Sequence, residues 1–195
     1  MATQASVLVP LLEGFEEIEA VTIIDVLRRA DVHVLVAGDR AGPVRGSHGI
    51  GVVADVSLDE VEAGDLAMIA LPGGMPGAAR LAEHAVVQRL IREVRDHAGY
   101  TAAICAGPMA LGAAGVLEGK LATCYPGMEK YLTGADARED RVIVDGKVVT
   151  SRGPGTALEF ALTLVSLLIG PQKEAALEQS MLVTREVEAR HVHHA

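Results

Sequence analysis

One of the two cysteines in this 195-residue chain stands where a thiol can act as a nucleophile. The stretch YTAAICAGPMALGAAG, residues 100–115, is an apolar run ending in Cys105, followed by two small residues, a proline and a helical pattern. Strand, sharp turn and helix make a nucleophile elbow, in which the reactive side chain projects from a tight bend at the carboxyl edge of a sheet. Ala106 and Gly107 are small enough for the backbone to double back. Pro108 suits a first helical turn, where a missing N–H costs nothing. A sulfur so placed faces the positive end of the helix, which predicts a pKa well below the free value of about 8.5. The Ala106 N–H is positioned to donate to an oxyanion forming on a bound carbonyl.

Two further pieces belong at the same edge. LPGGMPGA, residues 71–78, follows the preceding core strand, and Gly73 and Gly74 leave backbone N–H groups free for an anion or a carbonyl oxygen. EGFEEIEAV, residues 13–21, follows the first strand. On a helix Glu19 shares a stripe with Phe15 and Ile23, and burial there would raise its pKa and leave it able to shuttle a proton. Glu16 and Glu17 fall in the first helical turn, where acids complement the dipole. That role suffices for Glu17, so Glu17→Gln is expected to be nearly silent. No histidine follows Cys105 directly, and a Cys-His-Asp triad is not legible. His33 lies in a strand pattern, and His84 and His97 in surface-like helical sequence. His48, in a glycine-rich excursion, is the histidine placed to reach a site.

These residues need a scaffold that delivers them to one edge. Short apolar runs at 6–12, 32–38, 66–71 and 100–105 alternate with helical patterns at 15–30, from 79 to Arg95 with a break near Glu83–His84, and at 108–114. Strands apolar on both sides and separated by helices imply a mostly parallel sheet covered on both faces. Residues 42–55 read as a short antiparallel excursion. Residues 120–126 read as a strand, and 141–151 as a hairpin turning at Asp-Gly. Helices are expected at 156–170 and 172–182. Residues 1–184 form a single domain in this reading, and the histidine-rich 185–195 a polar tail.

Composition narrows the partners. The formal charge is -9 and aromatics make up only 3%. Nucleic acid and anionic membrane surfaces are therefore poor partners. The N-terminus has no basic start and its apolar run stops at Glu13, unlike a signal peptide or a membrane span. Two cysteines make no disulfide framework and match no zinc pattern, so a reducing cytoplasm is the default and no metal is expected. Cys124 reads as core. The first helix carries Ile18, Val21, Ile23, Ile24 and Leu27 on more than one side, too many for one buried stripe, which predicts a homodimer.

AAICAGP, LPGG, EGFEEIEAV, DVLRRA and TSRGPGTALEFAL, in this order across residues 5–183, resemble the ThiJ/PfpI superfamily. Within it they are similar to the branch of the Parkinson-associated protein deglycase. The resemblance implies a flavodoxin-like sandwich and a homodimer with the site close to the subunit interface. It implies Cys105 as an oxidisable nucleophile, Glu19 as its protonated partner, and Gly74 with Ala106 as oxyanion donors. It places Arg29 near the dimer-side entrance and Arg152 in a loop beside the elbow. Two positions depart from the pattern. Tyr125 or Cys124 fills the space of a histidine near the cysteine, and His48 replaces an arginine of the excursion. The activity implied is a cofactor-independent glyoxalase or deglycase acting on methylglyoxal-like dicarbonyls or their early adducts. Oxidative-stress sensing or chaperone-like action through Cys105 sulfinate is the alternative. Hydration or hydrolysis of a small carbon–nitrogen compound is a more distant one.

Overall fold

Alternation along the strands assigns side chains to two separate cores. The computed structural model describes residues 6–183. The strands of its main sheet are β1 (Ser6–Pro10), β2 (His33–Gly38), β5 (Val56–Ser57), β6 (Leu66–Leu71), β7 (Tyr100–Ile104), β10 (Val142–Asp145) and β11 (Val148–Ser151). Two small pairs stand apart, β3 (Gly42–Arg45) with β4 (Gly51–Ala54), and β8 (Leu121–Ala122) with β9 (Asp136–Ala137). The helices are α1 (Glu17–Arg29), α2 (Gly77–Glu83), α3 (Ala85–Asp96), α4 (Pro108–Ala113), α5 (Ala157–Leu168) and α6 (Pro171–Ser180).

The seven strands run in the order β10-β11-β7-β6-β1-β2-β5, and every pair is parallel except the hairpin β10/β11. Val7 and Val9 of β1, Met68 and Ala70 of β6, and Ala102 and Ile104 of β7 point to the layer of α1 and α5. Leu8, Ile69, Leu71 and Ala103 point to the opposite layer of α2, α3 and α4. Both faces of each central strand are therefore dry, which is why these runs are continuously apolar rather than alternating. The result is the expected flavodoxin-like sandwich.

Three segments differ from the sequence expectation. α1 begins at Glu17 rather than at residue 15, because the preceding backbone is pledged elsewhere. The Glu16 N–H donates to the Gly73 carbonyl at 2.9 Å, and the Phe15 carbonyl accepts from Ser47 at 2.8 Å. Residues 120–126 supply only the two-residue β8, outside the main sheet. Their later N–H groups leave the ladder, Thr123 donating to Thr150 Oγ1 and Tyr125 to the Cys105 carbonyl, both at 2.9 Å. The short edge strand β5 was not expected. The break between α2 and α3 falls at His84, whose Nδ1 accepts from the Val87 N–H. The tail, 185–195, lies outside the described residues.

Candidate active site

The chain leaves β1 toward β2 on one side and returns at β6 on the other, so the strand order reverses at β1. Such a switch point opens a crevice beyond the carboxyl ends of the strands. Glu19 follows β1, Gly73 and Gly74 follow β6, and Cys105 follows β7. The topology thus brings three separate stretches of sequence to one place.

Cys105 sits at φ 63, in the left-handed region. A non-glycine residue there is strained by of order 1–3 kcal/mol and persists only where the surroundings dictate it. They do so here. Its N–H donates to the Ser151 carbonyl and its carbonyl accepts from Tyr125, both at 2.9 Å, while Gly107 closes the turn on Ile104 at 2.8 Å. A Cβ on Gly107 would stand 2.7 Å from the Leu71 carbonyl oxygen, so the bend needs glycine.

Glu19 is fully buried and Cys105 is 9% exposed. Glu19 Oε2 accepts from the Gly73 N–H at 2.7 Å, and Oε1 has no hydrogen-bond partner among the described residues. Glu19 and Cys105 lie close enough for each to shift the other's ionisation, by charge and by side-chain hydrogen bonding. Burial lifts the Glu19 pKa to about 7 against the opposing pull of the Gly73 N–H and the thiol, with the Glu16 carboxylate adding to the rise. Burial also pushes the Cys105 thiol up, and the Glu19 carboxylate pushes it further. The Ala106 and Gly74 N–H groups donate to the sulfur and oppose that rise.

The depressed thiol pKa expected from the elbow is therefore corrected. The sulfur shares a dry site with a carboxyl group, and α4 is only six residues long. The pair accommodates one negative charge, and when Glu19 carries a proton the sulfur is freed of its repulsion. The two N–H donors, rather than a helix dipole, are what favour a thiolate.

The other expected residues are placed unequally. Tyr125 adjoins the elbow through its backbone, with its side chain exposed. Cys124 is buried and its thiol is pushed up to about 11, first by burial and then by Glu129, against Arg152. Arg152 follows Ser151, whose carbonyl takes the Cys105 N–H. Arg29 is at the far end of α1, ten residues beyond Glu19, or about 15 Å along the axis. It pairs there with Asp25 at 2.6 Å and is not brought to the sulfur within one chain. Two surface hollows, one bordered by Arg28, His33 and Asp55 and the other by Glu13, Arg40 and Arg80, include neither Cys105 nor Glu19.

His48 is bound to Glu17 rather than aimed at the sulfur, with Nδ1 2.9 Å from Glu17 Oε2. Glu17 stands in the first turn of α1 as expected, but it is also buried, so complementing the dipole does not by itself account for it. Helical spacing carried the signal, since Glu17 shares a stripe with Ala20 and Ile24, also buried. Among the described residues one group, Glu16, Glu17 and His48, gathers metal-ligand atoms within 4.8 Å of one another. Both Glu17 oxygens already accept from N–H or O–H donors, which accounts for the gathering as a hydrogen-bonded cluster.

A strained cysteine elbow, a buried carboxyl and two N–H donors on a flavodoxin-like sheet define a cysteine-centred α/β protein. The chain belongs to the DJ-1/PfpI family, whose model matches residues 5–167. It is 47% identical over 178 residues to protein DJ-1 homolog B of Arabidopsis thaliana, covering 89% of this chain and 40% of that protein. The chain thus spans well under half the length of that relative. It is 38% identical to the glutathione-independent glyoxalase DJR-1.2 of Caenorhabditis elegans, covering 95% of this chain and 100% of the other. Its fold matches the crystal structure of Drosophila melanogaster DJ-1beta with a TM-score of 0.88 at 38% identity, over 93% of this chain and 100% of that one. Among the described residues no helix is long and apolar enough to cross a membrane.

Proposed function

We propose that the protein is a cysteine-dependent, cofactor-independent enzyme that converts methylglyoxal-like dicarbonyls, or their early adducts, to 2-hydroxy acids. The observation that carries this reading is the Cys105 sulfur on its strained elbow beside a buried carboxyl whose pKa, about 7, lets it give and take a proton at neutrality. In the reaction the sulfur adds to the aldehyde carbon, and the carbonyl oxygen takes a proton to give a hemithioacetal. The Gly74 and Ala106 N–H groups, which donate to the sulfur in the free protein, lie beside the oxygen that develops charge. Glu19 removes the proton from the former aldehyde carbon and returns it to the neighbouring carbon through an enediol. Water then cleaves the resulting thioester, releasing the 2-hydroxy acid and restoring the thiol. Positioned proton transfer of this kind contributes about 10²–10⁴-fold. With the cysteine only 9% exposed, a small free dicarbonyl reaches the sulfur more readily than an adduct on a folded protein surface.

The test is lactate production from methylglyoxal without glutathione. Wild type is expected to form it, Cys105→Ser to be inactive, and Glu19→Gln to lose about 10²-fold or more. Equal turnover by wild type and Cys105→Ser would sink the proposal. One observation favours oxidation sensing as a second reading. The N–H groups at the sulfur would equally hold the oxygens of a sulfinate, and Toxoplasma gondii DJ-1, 39% identical, has been solved in an oxidized form. Sulfinate formation with peroxide, in a protein that makes no lactate, would favour it. We place the protein in the cytoplasm as a homodimer, on its reduced cysteines and on the apolar residues that α1 leaves exposed, Ile18 and Val21.

A further inference from the structure

Glu17 opens α1 with its side chain only 5% exposed, and both of its oxygens are fully engaged. Oε1 accepts from the N–H of His48 at 2.7 Å and of Ile50 at 3.2 Å. Oε2 accepts from the Ser47 hydroxyl at 3.3 Å and meets His48 Nδ1 at 2.9 Å. All four donors belong to the tip joining β3 to β4. Gly46 completes the fit, because a Cβ there would overlap the Glu17 carboxyl. A buried ion is tolerated only when paired and hydrogen-bonded, so this tip cannot lift without stranding a charge.

The tip is sewn in turn to the site. Ser47 donates to the Phe15 carbonyl at 2.8 Å, and Gly14 donates to the Arg45 carbonyl at 2.9 Å. Glu16, the next residue, donates to the Gly73 carbonyl at 2.9 Å. Gly74 passes so close to the Phe15–Glu16 peptide that a Cβ on it would overlap the Glu16 nitrogen. Gly73 then holds Glu19, and Gly74 holds the sulfur.

We propose that Glu17 is a positioning residue for the Cys105–Glu19 pair, acting through the hairpin tip and the Phe15–Glu16 and Gly73–Gly74 peptides, with His48 as its counter-charge. The proposal rests on the reading of that pair as the reacting groups. The charged groups facing the imidazole are Glu17 and, at 3.6 Å, Glu16, both from the start of α1. On its own hairpin, Arg45 approaches Gly49. The Glu17 hydrogen bond, followed by the Glu16 and Glu17 charges, raises the His48 pKa. Burial works to raise Glu17, but the His48 and backbone donors prevail and hold it at about 2. The His48 charge is thus complete below its ordinary pKa of about 6.5 and is lost as pH rises through the raised value. The Glu17 charge is complete above 4.5 and is lost as pH falls toward about 2. Between these limits the latch is fully charged. On the alkaline side His48 goes neutral and Glu16, which raises the pKa of Glu19, is left unscreened.

Hydrogen exchange of segments 45–51 and 72–78, together with iodoacetamide alkylation of Cys105 across pH, tests this in wild type, Glu17→Gln and His48→Ala. Glu17→Gln is expected to speed exchange about tenfold in both segments. His48→Ala, an exposed change, leaves Glu19 protonated to higher pH and is therefore expected to move the alkylation profile down by about 0.5 pH unit and speed the reaction about threefold at neutrality. Faster exchange confined to 45–51, with wild-type alkylation profiles, would show a purely structural contact and overturn the proposal. If Glu17→Gln does not fold, a wild-type alkylation profile in His48→Ala overturns it alone. These readouts need no turnover, so a protein inactive on dicarbonyls would defeat the enzyme reading and leave this one standing or falling by itself.

Discussion

Glu19 has no ion pair to offset its burial, and its carboxyl group is tolerated because it stays protonated. Its pKa in the folded chain, about 7, exceeds the ordinary 4.5, so the folded state binds its proton more tightly than the unfolded one. That advantage is complete below pH 4.5 and is lost as pH rises through about 7. Above neutrality the folded protein carries a cost on the order of 3 kcal/mol from this one group. Glu19→Gln keeps an acceptor for the Gly73 N–H and removes the ionisation. It is therefore expected to raise the melting temperature at pH 8 by several degrees, and to change it little at pH 4.5. Thermal unfolding at the two pH values checks this, and an equal shift at both would mean that packing rather than charge sets the effect. A site that costs stability where it would work is what a reacting carboxyl predicts.

At the scale of elements, the strap after β6 sets the spacing between thiol and acid. A Cβ on Gly73 would stand 2.7 Å from the Cys105 Cβ, 2.8 Å from the Ala106 nitrogen and 2.9 Å from Glu19 Oε2. Backbone and buried side chains cannot yield there, so strap and elbow must part. Misplacing reacting groups by an ångström costs about 10²-fold, and Gly73→Ala is expected to lose at least that in kcat with folding retained. Circular dichroism alongside steady-state rates separates the two effects, and wild-type kcat in a folded Gly73→Ala would show that the spacing is not critical. Gly64, with nothing within 4 Å of its Cβ position, is the control that should tolerate alanine.

At the scale of the molecule, the first helix divides its apolar residues between two destinations. Ile23, Ile24 and Leu27 are buried in the chain's own core, whereas Ile18 is 58% and Val21 46% exposed. On the hairpin that docks against the start of α1, Ile50 is 60% and Val53 65% exposed. Light scattering is expected to give twice the chain mass of 20.3 kDa, and Ile18→Asp with Val21→Asp is expected to halve it. A wild-type mass of one chain at all concentrations would remove the dimer.

The sequence by itself determined the parallel sandwich, because strands dry on both faces must be apolar at every position, as Val7, Leu8 and Val9 are. It also marked the elbow and the glycine strap, where small residues interrupt apolar runs in ways a core does not require. Tertiary structure alone decided the charge on the sulfur. Burial in one shared site raises both Cys105 and Glu19, 86 positions apart, the Glu19 carboxylate raises the thiol further, and no local pattern encodes that proximity. It alone decided the fate of residues 120–126, whose β pattern was overridden when their N–H groups found Thr150 and the elbow. Glu17 shows the same division. Its place on a buried stripe was written in the helical repeat, but the four donors that make it a clamp come from a hairpin about 30 residues on, and only folding brings them together.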